Sequence, residues 1–134
     1  PSTHQLVKQN NVQNWHGIGT NLSHQELMWM RIKSDALLFP SGSEGFGYPP
    51  LESMACGTKV LCSNLASHNE LMPDNSCIEA VDIDAWRKAI VEIHSQWKQR
   101  EGPIAADQEL IKHSRNFSMR AFNERMAEAY SMME

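Results

Sequence analysis

Hydrophobic residues recur at helical spacing in the first quarter of the chain. Ser23 and Glu26 have the S-x-x-E form of a capping box, in which the two residues bind each other's free amides at the start of a helix. Leu27 and Met30 follow at a three-residue spacing, which places their side chains on one face of a helix. This pattern predicts a helix over residues 23–34.

A stronger helical signal lies in the second half of the chain. Asp82 or Asp84 can cap a helix there. Its apolar residues recur at spacings of 4, 3 and 4, at Trp86, Ile90, Ile93 and Trp97. Gly102 and Pro103 break the pattern, and a further helix is predicted over residues 104–113.

The last predicted helix begins at Ser118 and has a methionine-rich face. Its apolar stripe consists of Met119, Phe122, Met126, Tyr130 and Met133. Methionine-rich stripes occur both in cores and at partner-binding surfaces. Two interpretations therefore stay open, which are packing against this same domain and binding of a partner.

Short apolar runs bounded by turn-forming residues predict the strands. The clearest runs cover residues 35–40 and 58–63, and weaker ones cover residues 12–16 and 77–81. The first of the clear runs is typical of a strand that is buried on both faces of a parallel sheet. A helix is predicted between the two clear strands, over residues 51–56.

The alternation of strands and helices predicts the fold class. Strand, loop, helix and strand within about thirty residues is the size of a βαβ unit. A shorter helix that begins near Ser67 continues the alternation. We therefore predict an α/β fold, with a Rossmann-like parallel sheet and helices on both of its faces, in three layers.

Composition narrows the class of protein. The chain has 134 residues, enough for one domain that buries about 68% of its unfolded surface. Hydrophobic residues make up 41% and charged residues 21%, which is typical of globular rather than disordered chains. The net charge of −4 argues against a nucleic-acid surface, since too few cations are present to neutralise many phosphates.

Cysteine and histidine spacing favours neither a disulfide framework nor a metal site. Cys56, Cys62 and Cys77 lie in apolar contexts without C-x-x-C spacing, which favours buried free thiols. The six histidines show no ligand pattern, so no metal is expected. The chain shows neither a signal segment nor an apolar run of about 18 residues, and we expect a cytoplasmic setting.

The stretch "SGSEGFGYPPLE" carries the candidate chemistry, at the carboxyl end of the strand over residues 35–39. Parallel sheets bind ligands at that edge. Pro50 suits the first position of the following helix, and Pro49 is then expected outside it. The remaining amides can bind an anion: those of Gly45, Phe46, Gly47, Tyr48, Leu51 and Glu52. Both glycines also permit positive φ and a close backbone approach.

The two acids of this stretch admit several interpretations. Glu52, in the first turn of the predicted helix, can simply stabilise the helix dipole, while Glu44 can be a solvated loop acid. A glycosidase pair would also use two carboxylates. Against a glycosidase, only Glu44 lies on a loop that is free to meet a reacting carbon, and neither acid lies in an obvious apolar setting.

Residues 34–71, "SDALLFPSGSEGFGYPPLESMACGTKVLCSNLASHNEL", closely resemble a known family. They are similar to the C-terminal, nucleotide-sugar-binding half of retaining GT-B glycosyltransferases, in particular glycosyltransferase family 4 (group 1). Glu44 and Glu52 match both ends of that family's E-x7-E motif. The resemblance extends more weakly over residues 15–134, through the helix that begins near Asp82 and through Phe117-Ser118, which is similar to the "FS" that opens the family's last helix.

The resemblance implies a donor site for a nucleoside-diphosphate-sugar, without metal or other cofactor. Glu52 would bind the ribose hydroxyls, and Glu44, the catalytic candidate, would bind the transferred sugar near its reacting carbon. The amides of Gly45, Phe46 and Gly47, with those of the helix start, would hold the sugar and the diphosphate. The family transfers the sugar with retention through an oxocarbenium-like state.

The family pattern also includes parts that have no match in the sequence. The Arg and Lys that serve the leaving diphosphate in the family are not matched, since Arg31 and Lys33 belong to the preceding helix and Lys59 opens the next strand. The N-terminal acceptor domain has no counterpart either. Residues 1–134 are therefore expected to be one incomplete donor-binding domain, with little transfer activity alone.

The missing parts leave the partners and one alternative function open. The acceptor, a glycan, lipid or protein, would be bound by a missing N-terminal domain or a partner chain, through which peripheral membrane contact is also conceivable. The alternative is a non-catalytic binding or regulatory module of the same fold. A dehydrogenase is disfavoured, because no G-x-G-x-x-G follows the first strand.

Overall fold

The computed structural model describes residues 3–13, 15–17, 21–74 and 76–132. Short helices alternate with two strands in the first half, and longer helices follow. In chain order, the elements are α1 Thr3–Gln9, α2 His24–Lys33, β1 Ala36–Phe39, α3 Tyr48–Ala55, β2 Lys59–Cys62, α4 Ala66–Leu71, α5 Ile83–Gln99, α6 Gln108–Ser114, a 3-10 turn Arg115–Phe117 and α7 Met119–Ser131.

β1 and β2 pair in parallel, as the predicted βαβ unit requires. Their register runs from Ala36 opposite Lys59 to Phe39 opposite Cys62, and α3 forms the crossover between them. The confirmed class is therefore mixed α/β with a small parallel sheet. The prediction was a three-layer domain around a wider parallel sheet. In the described residues the sheet consists of these two strands alone.

Neither of the two weaker strand predictions is met in the described residues. Over residues 77–81 only a single parallel bridge forms, between Ser63 and Ile78, and Val81 is 87% exposed in a turn. The described part of residues 12–16 contains no strand, and α1, which lacks a clear hydrophobic period, was not predicted. Short runs rich in apolar residues do not specify a strand unless a neighbouring edge is available to pair with them.

The core lies between the sheet and α3. Leu37 and Phe39 of β1 point to the same side as Val60 and Cys62 of β2, where all four pack around the fully buried Met54 of α3. Alternate residues of a strand face opposite sides of the sheet, so this set of side chains defines one face. Helix α6 also packs against α3, and its Leu110 completes the cluster.

The opposite face of the sheet is only partly covered, by α5. Leu38 of β1 lines an apolar groove with Ile90, Ile93 and Trp97 of α5, and it is 45% exposed. The prediction that this strand is buried on both faces is therefore wrong for its outer face. An ion pair between Asp35 and the guanidinium of Arg100 joins the start of β1 to the end of α5.

The predicted helix starts are confirmed wherever a cap was identified. Ser23 and Glu26 form the complete capping box of α2, and the Asp82 carboxylate accepts the Ala85 amide at the start of α5. Ser118 likewise accepts an amide at the start of α7. Helix α6, for which no cap was predicted, begins after the cap Asp107 rather than near residue 104, because that carboxylate binds two amides of its first turn.

The methionine-rich stripe of α7 is exposed rather than packed in the core. Met119 is 72% exposed, Phe122 50% and Tyr130 65%. Met133, the last member of the predicted stripe, lies outside the described residues. No described residue of the stripe is therefore buried in the core. None of the described helices is both long and apolar enough to cross a membrane.

The turn between α3 and β2 generates a stability prediction. Gly57 has φ +71°, and a Cβ added there would lie 2.7 Å from the Asp107 amide nitrogen and 2.8 Å from the Ala106 Cβ. Gly102 has a similar φ of +90° but no atom within 4 Å of such a Cβ. Gly102→Ala should cost about 1 kcal/mol of unfolding free energy, because it adds only left-handed backbone strain.

Gly57→Ala should cost at least about 2 kcal/mol, since it combines the same strain with a clash against a backbone that cannot move cheaply. Chemical denaturation of both variants measures the difference. Equal losses would show that the segment before α6 yields to the added methyl group without cost.

The core thiol generates a pH prediction. Burial, with a smaller effect of the neighbouring Cys77 sulfur 3.6 Å away, raises the pKa of Cys62 from 9.0 to about 12. The folded state thus keeps its proton where the unfolded chain loses it, so this contribution to stability is complete below about pH 9 and is lost as the pH rises towards 12. Cys62→Ala should flatten the fall of unfolding free energy between pH 9 and 10.5, measured by denaturant titration. Identical slopes in the two proteins would contradict the shift.

Candidate functional site

The loop of residues 40–47 leaves the carboxyl end of β1 and enters α3. The turn after β2 leaves the same edge of the sheet and enters α4, because the strands are parallel. The candidate site therefore lies where ligands of parallel sheets bind, as predicted. Both the loop and the start of α4 form this site.

Helix α3 begins earlier than the sequence indicated. Gly47 is its N-cap, with φ +94° and ψ +49°, and Tyr48 is the first helical residue. Pro49 and Pro50 both lie inside the first turn, so the prediction that Pro49 lies outside the helix is wrong. Two prolines are tolerated there because amides of a first turn have no intrahelical acceptor, so no hydrogen bond is lost. The Pro50 side chain is also fully buried, which further stabilises a helix that includes it in the first turn.

The earlier start changes which amides are free. The Leu51 amide donates to the Gly47 carbonyl at 3.3 Å, so it is part of the helix and not available to an anion. Glu52 lies in the second turn rather than the first. In the part of the chain that the structure describes, the amides of residues 45–48 have no hydrogen-bond acceptor. Of the three loop glycines, Gly42, Gly45 and Gly47, only Gly47 has a positive φ.

Glu44 is held at the base of the loop. Its carboxylate accepts a hydrogen bond from the Ser41 hydroxyl at 3.0 Å, and its backbone carbonyl accepts one from the Ser67 hydroxyl of α4 at 3.3 Å. The residue is half-buried. These bonds fix the carboxylate at the edge of the loop while leaving acceptor capacity on it, since a carboxylate has about four lone-pair sites.

Glu52 is bound by a cation that the sequence did not place at the site. The guanidinium of Arg31, near the end of α2, forms an ion pair with its carboxylate. The two residues are 21 positions apart, which no local pattern relates. The Glu52 side chain is 41% exposed, so the carboxylate remains accessible beside the guanidinium.

The aromatic residues of the loop lie on its outer side. Phe46 is 41% and Tyr48 66% exposed, and their ring centroids are 5.0 Å apart in a tilted arrangement. Such a pair offers an apolar surface next to the free amides. Leu51, in contrast, packs its half-buried side chain against the core cluster. The predicted binding residues are therefore brought together, but Leu51 contributes from the core side.

Sequence reasoning missed His68, the most buried polar residue at the site. Its side chain is fully buried on α4, and Nδ1–H donates to the Ser63 carbonyl at 2.8 Å. A Cβ placed on Gly47 would lie 3.1 Å from the His68 Cδ2, so the imidazole packs directly under the start of α3. Nε2 is buried and has no partner among the described residues. The only sequence signal was its place on a short amphipathic helix.

Metal-binding side chains are not clustered. Within the described ranges, no three His, Cys, Asp or Glu residues lie close enough together to hold an ion. The loop and α3 carry the carboxylates of Glu44 and Glu52, with the guanidinium of Arg31 paired to Glu52 and the positive end of α3 beside them.

Comparison with curated proteins finds bacterial glycosyltransferases. The chain is 33% identical over 82 residues to the O-antigen chain mannosyltransferase B of Escherichia coli, covering 60% of this chain and 22% of the relative. It is 36% identical over 73 residues to the O-antigen chain mannosyltransferase RfbU of Salmonella typhimurium, covering 54% and 21%. It is 30% identical over 102 residues to the D-inositol 3-phosphate glycosyltransferase of Rhodococcus opacus, covering 74% and 22%. The chain thus spans about a fifth of the length of these relatives.

The family comparison covers most of the chain. The sequence pattern described as "Glycosyl transferases group 1" matches residues 2–110, which include the loop, both acids and all of α3 to α5. This is the family that the E-x7-E stretch predicted. The chain therefore belongs to the glycosyl transferases group 1 family.

Proposed function

We propose that residues 1–134 form one incomplete domain that binds the nucleotide-sugar donor of a retaining glycosyltransferase. The observation that carries the proposal is the loop between β1 and α3. This loop and the first two turns of α3 hold two carboxylates, those of Glu44 and Glu52, on either side of four amides that have no acceptor in the described structure. A nucleotide-sugar needs both kinds of group, because its hydroxyls donate hydrogen bonds and its diphosphate accepts them.

In the proposed binding mode, each part of the loop binds a different part of the donor. The amides of Gly45, Phe46, Gly47 and Tyr48 bind the diphosphate, with the positive end of α3 behind them. The Glu52 carboxylate accepts hydrogen bonds from the ribose, and Glu44 accepts them from the sugar. Leu51 supports this surface from the core, and the rings of Phe46 and Tyr48 form its apolar side.

The proposed reaction transfers a sugar to an acceptor hydroxyl. The bond between the anomeric carbon and the diphosphate oxygen breaks, the acceptor oxygen bonds to the same carbon with retention, and a nucleoside diphosphate and a proton are released. Since two of the relatives are mannosyltransferases, we propose mannose as the sugar. The chain spans about a fifth of the length of these relatives. We therefore expect acceptor binding and efficient transfer to require additional polypeptide, either in the same chain or in a partner chain.

A non-catalytic donor-binding module is the second candidate function. It is favoured by the pairing of Arg31 with Glu52, since a cation engaged in that way is not free to stabilise a leaving diphosphate. Incubation with a mannose nucleotide separates the two candidates when the protein is assayed together with the additional polypeptide or partner chain that transfer is expected to require. A transferase releases nucleoside diphosphate when an acceptor glycan is supplied, whereas a binding module leaves the donor intact.

The two acids should affect binding differently. Glu52→Ala should weaken the binding of UDP, GDP or ADP, whichever the protein binds, by at least about tenfold, because hydrogen bonds to a charged group are worth about 1.5–3 kcal/mol. Glu44→Ala should leave this affinity nearly unchanged and should weaken the binding of the sugar-bearing nucleotide. Calorimetric titration measures both, with Glu92→Ala on the exposed face of α5 as control.

The opposite order of effects would exchange the roles of the two acids. A folded wild-type protein that binds none of the three nucleotides at millimolar concentration would overturn the donor-site proposal itself.

The loop glycines provide a second test. A Cβ on Gly45 would meet no atom within 4 Å, so Gly45→Ala should leave the melting temperature within about 2 °C of the wild-type value. A donor diphosphate bound to this amide would meet the new methyl group, so nucleotide affinity should fall. Gly47→Ala should lower both stability and affinity, because φ is +94° and the methyl group would lie 3.1 Å from His68 and Leu71. Unchanged affinity in Gly45→Ala would place the diphosphate elsewhere.

A further inference from the structure

Arg31 and Glu52 form an ion pair that is more enclosed than an ordinary surface pair. The Arg31 side chain is 11% exposed and the Glu52 side chain 41%. Long side chains in exposed pairs contribute little, because they stay mobile and are screened by solvent. Here the guanidinium is enclosed, and only its partner faces outward.

The backbone around Arg31 is fixed to the rest of the domain. Its carbonyl accepts a hydrogen bond from the Thr58 hydroxyl at 2.7 Å, which joins the end of α2 to the start of β2. Arg31 also lines a mainly apolar cavity between α2, β1 and α3, together with Leu27, Met30 and Pro49 among others. The guanidinium is therefore directed at Glu52 by the packing of two elements.

The pair leaves one side of the carboxylate open. Arg31 binds the Oε2 atom, whereas Oε1 has no hydrogen-bond partner among the described residues. A carboxylate held by one oxygen has a fixed plane, so its second oxygen points in a defined direction. We propose that Arg31 is a positioning residue, which orients the free oxygen of Glu52 towards the ribose hydroxyls of the donor. This inference rests on the proposed function.

Charge gives Arg31 a second effect. A nucleoside diphosphate carries about two negative charges, and a carboxylate next to it would repel it in a partly desolvated site. The guanidinium offsets the charge of Glu52 and leaves its acceptor oxygen in place. Arg31 thus allows an acid that recognises a ribose to lie beside an anion site in a chain of net charge −4.

The ion pair of Arg100 with Asp35 is a matched control. Its side chains are 30% and 33% exposed, so it is also partly buried. It lies at the amino end of β1, the end away from the loop. Replacing Arg100 therefore tests the general effect of losing a half-buried ion pair.

The experiment combines protein variants with ligand variants. Calorimetry compares the binding of UDP, GDP and ADP with that of their 2′,3′-dideoxy forms, in wild type, Arg31→Gln, Arg31→Lys and Arg100→Gln. We expect Arg31→Gln to weaken ribonucleotide binding at least tenfold. Dideoxynucleotide binding, which keeps the effect of charge but has no ribose hydroxyls for Glu52 to bind, should weaken less than threefold. Arg31→Lys should restore part of the loss, and Arg100→Gln should change neither affinity by more than twofold.

Each other outcome contradicts the inference in a distinct way. Equal losses for both kinds of nucleotide in Arg31→Gln and Arg31→Lys would show a merely structural role. Tighter binding in either variant would show that Arg31 competes with the ligand for Glu52. If wild type binds the ribonucleotides and Arg31→Gln binds them equally, this inference fails while the donor site stands. If wild type binds none of them, the proposed function fails and the inference with it.

Discussion

The packing of α3 on the parallel strands is the constraint on which the site depends. Met54 is fully buried against Val60 and Cys62, so α3 cannot rotate without opening the core. Large-to-small changes in such a core typically cost about 2–5 kcal/mol. Because Met54 fixes the rotation of the helix, it also fixes which way Glu52, two positions earlier, points. The chemistry of the loop is thus set by an apolar contact on the other side of the helix.

Helix α4 holds the loop from beneath. Ser67 binds the carbonyl of Glu44 and His68 packs under Gly47, so neighbouring residues of α4 support both ends of the glycine stretch. The His68 ring is itself held by the Ser63 carbonyl and lies 5.7 Å from the Phe39 ring. A loop fastened at both ends presents its amides with little further loss of conformational entropy on binding, which is the physical benefit of a preorganised anion site.

How far the sequence predicts this structure depends on the range of the interactions involved. The caps at Ser23, Asp82 and Ser118 were found because a cap and its amides lie within three residues of each other. The start of α3 was missed by two residues, since it depends on a left-handed Gly47 that packs on α4. The family was recognised from a single stretch, because the glycines and acids of the loop follow one another without interruption.

Contacts between residues far apart in the sequence were not predicted, because no local pattern relates such residues. Arg31 counted only as a cation on a preceding helix, yet the parallel pairing of β1 and β2 brings the end of α2 next to α3. The single bridge at Ile78 and the exposed Leu38 show the converse, since apolar runs were interpreted as strands buried in a sheet larger than the described one. Hydrophobic pattern defines which residues can be buried, but the partner that buries them is set by the rest of the fold.

The arrangement of charges explains how two acids could border the proposed anion site. Two carboxylates beside a diphosphate would repel it if both were free. Here Glu44 is bound by the Ser41 hydroxyl and Glu52 by the Arg31 guanidinium, so each has a partner on the protein side. The four amides of residues 45–48, which have no acceptor in the described structure, lie between the two acids, and their N–H groups carry partial positive charge. In the proposed site, hydroxyls and phosphates could then be bound next to each other, because Arg31 offsets the charge of Glu52, Ser41 holds Glu44 in place, and the amides face the anion.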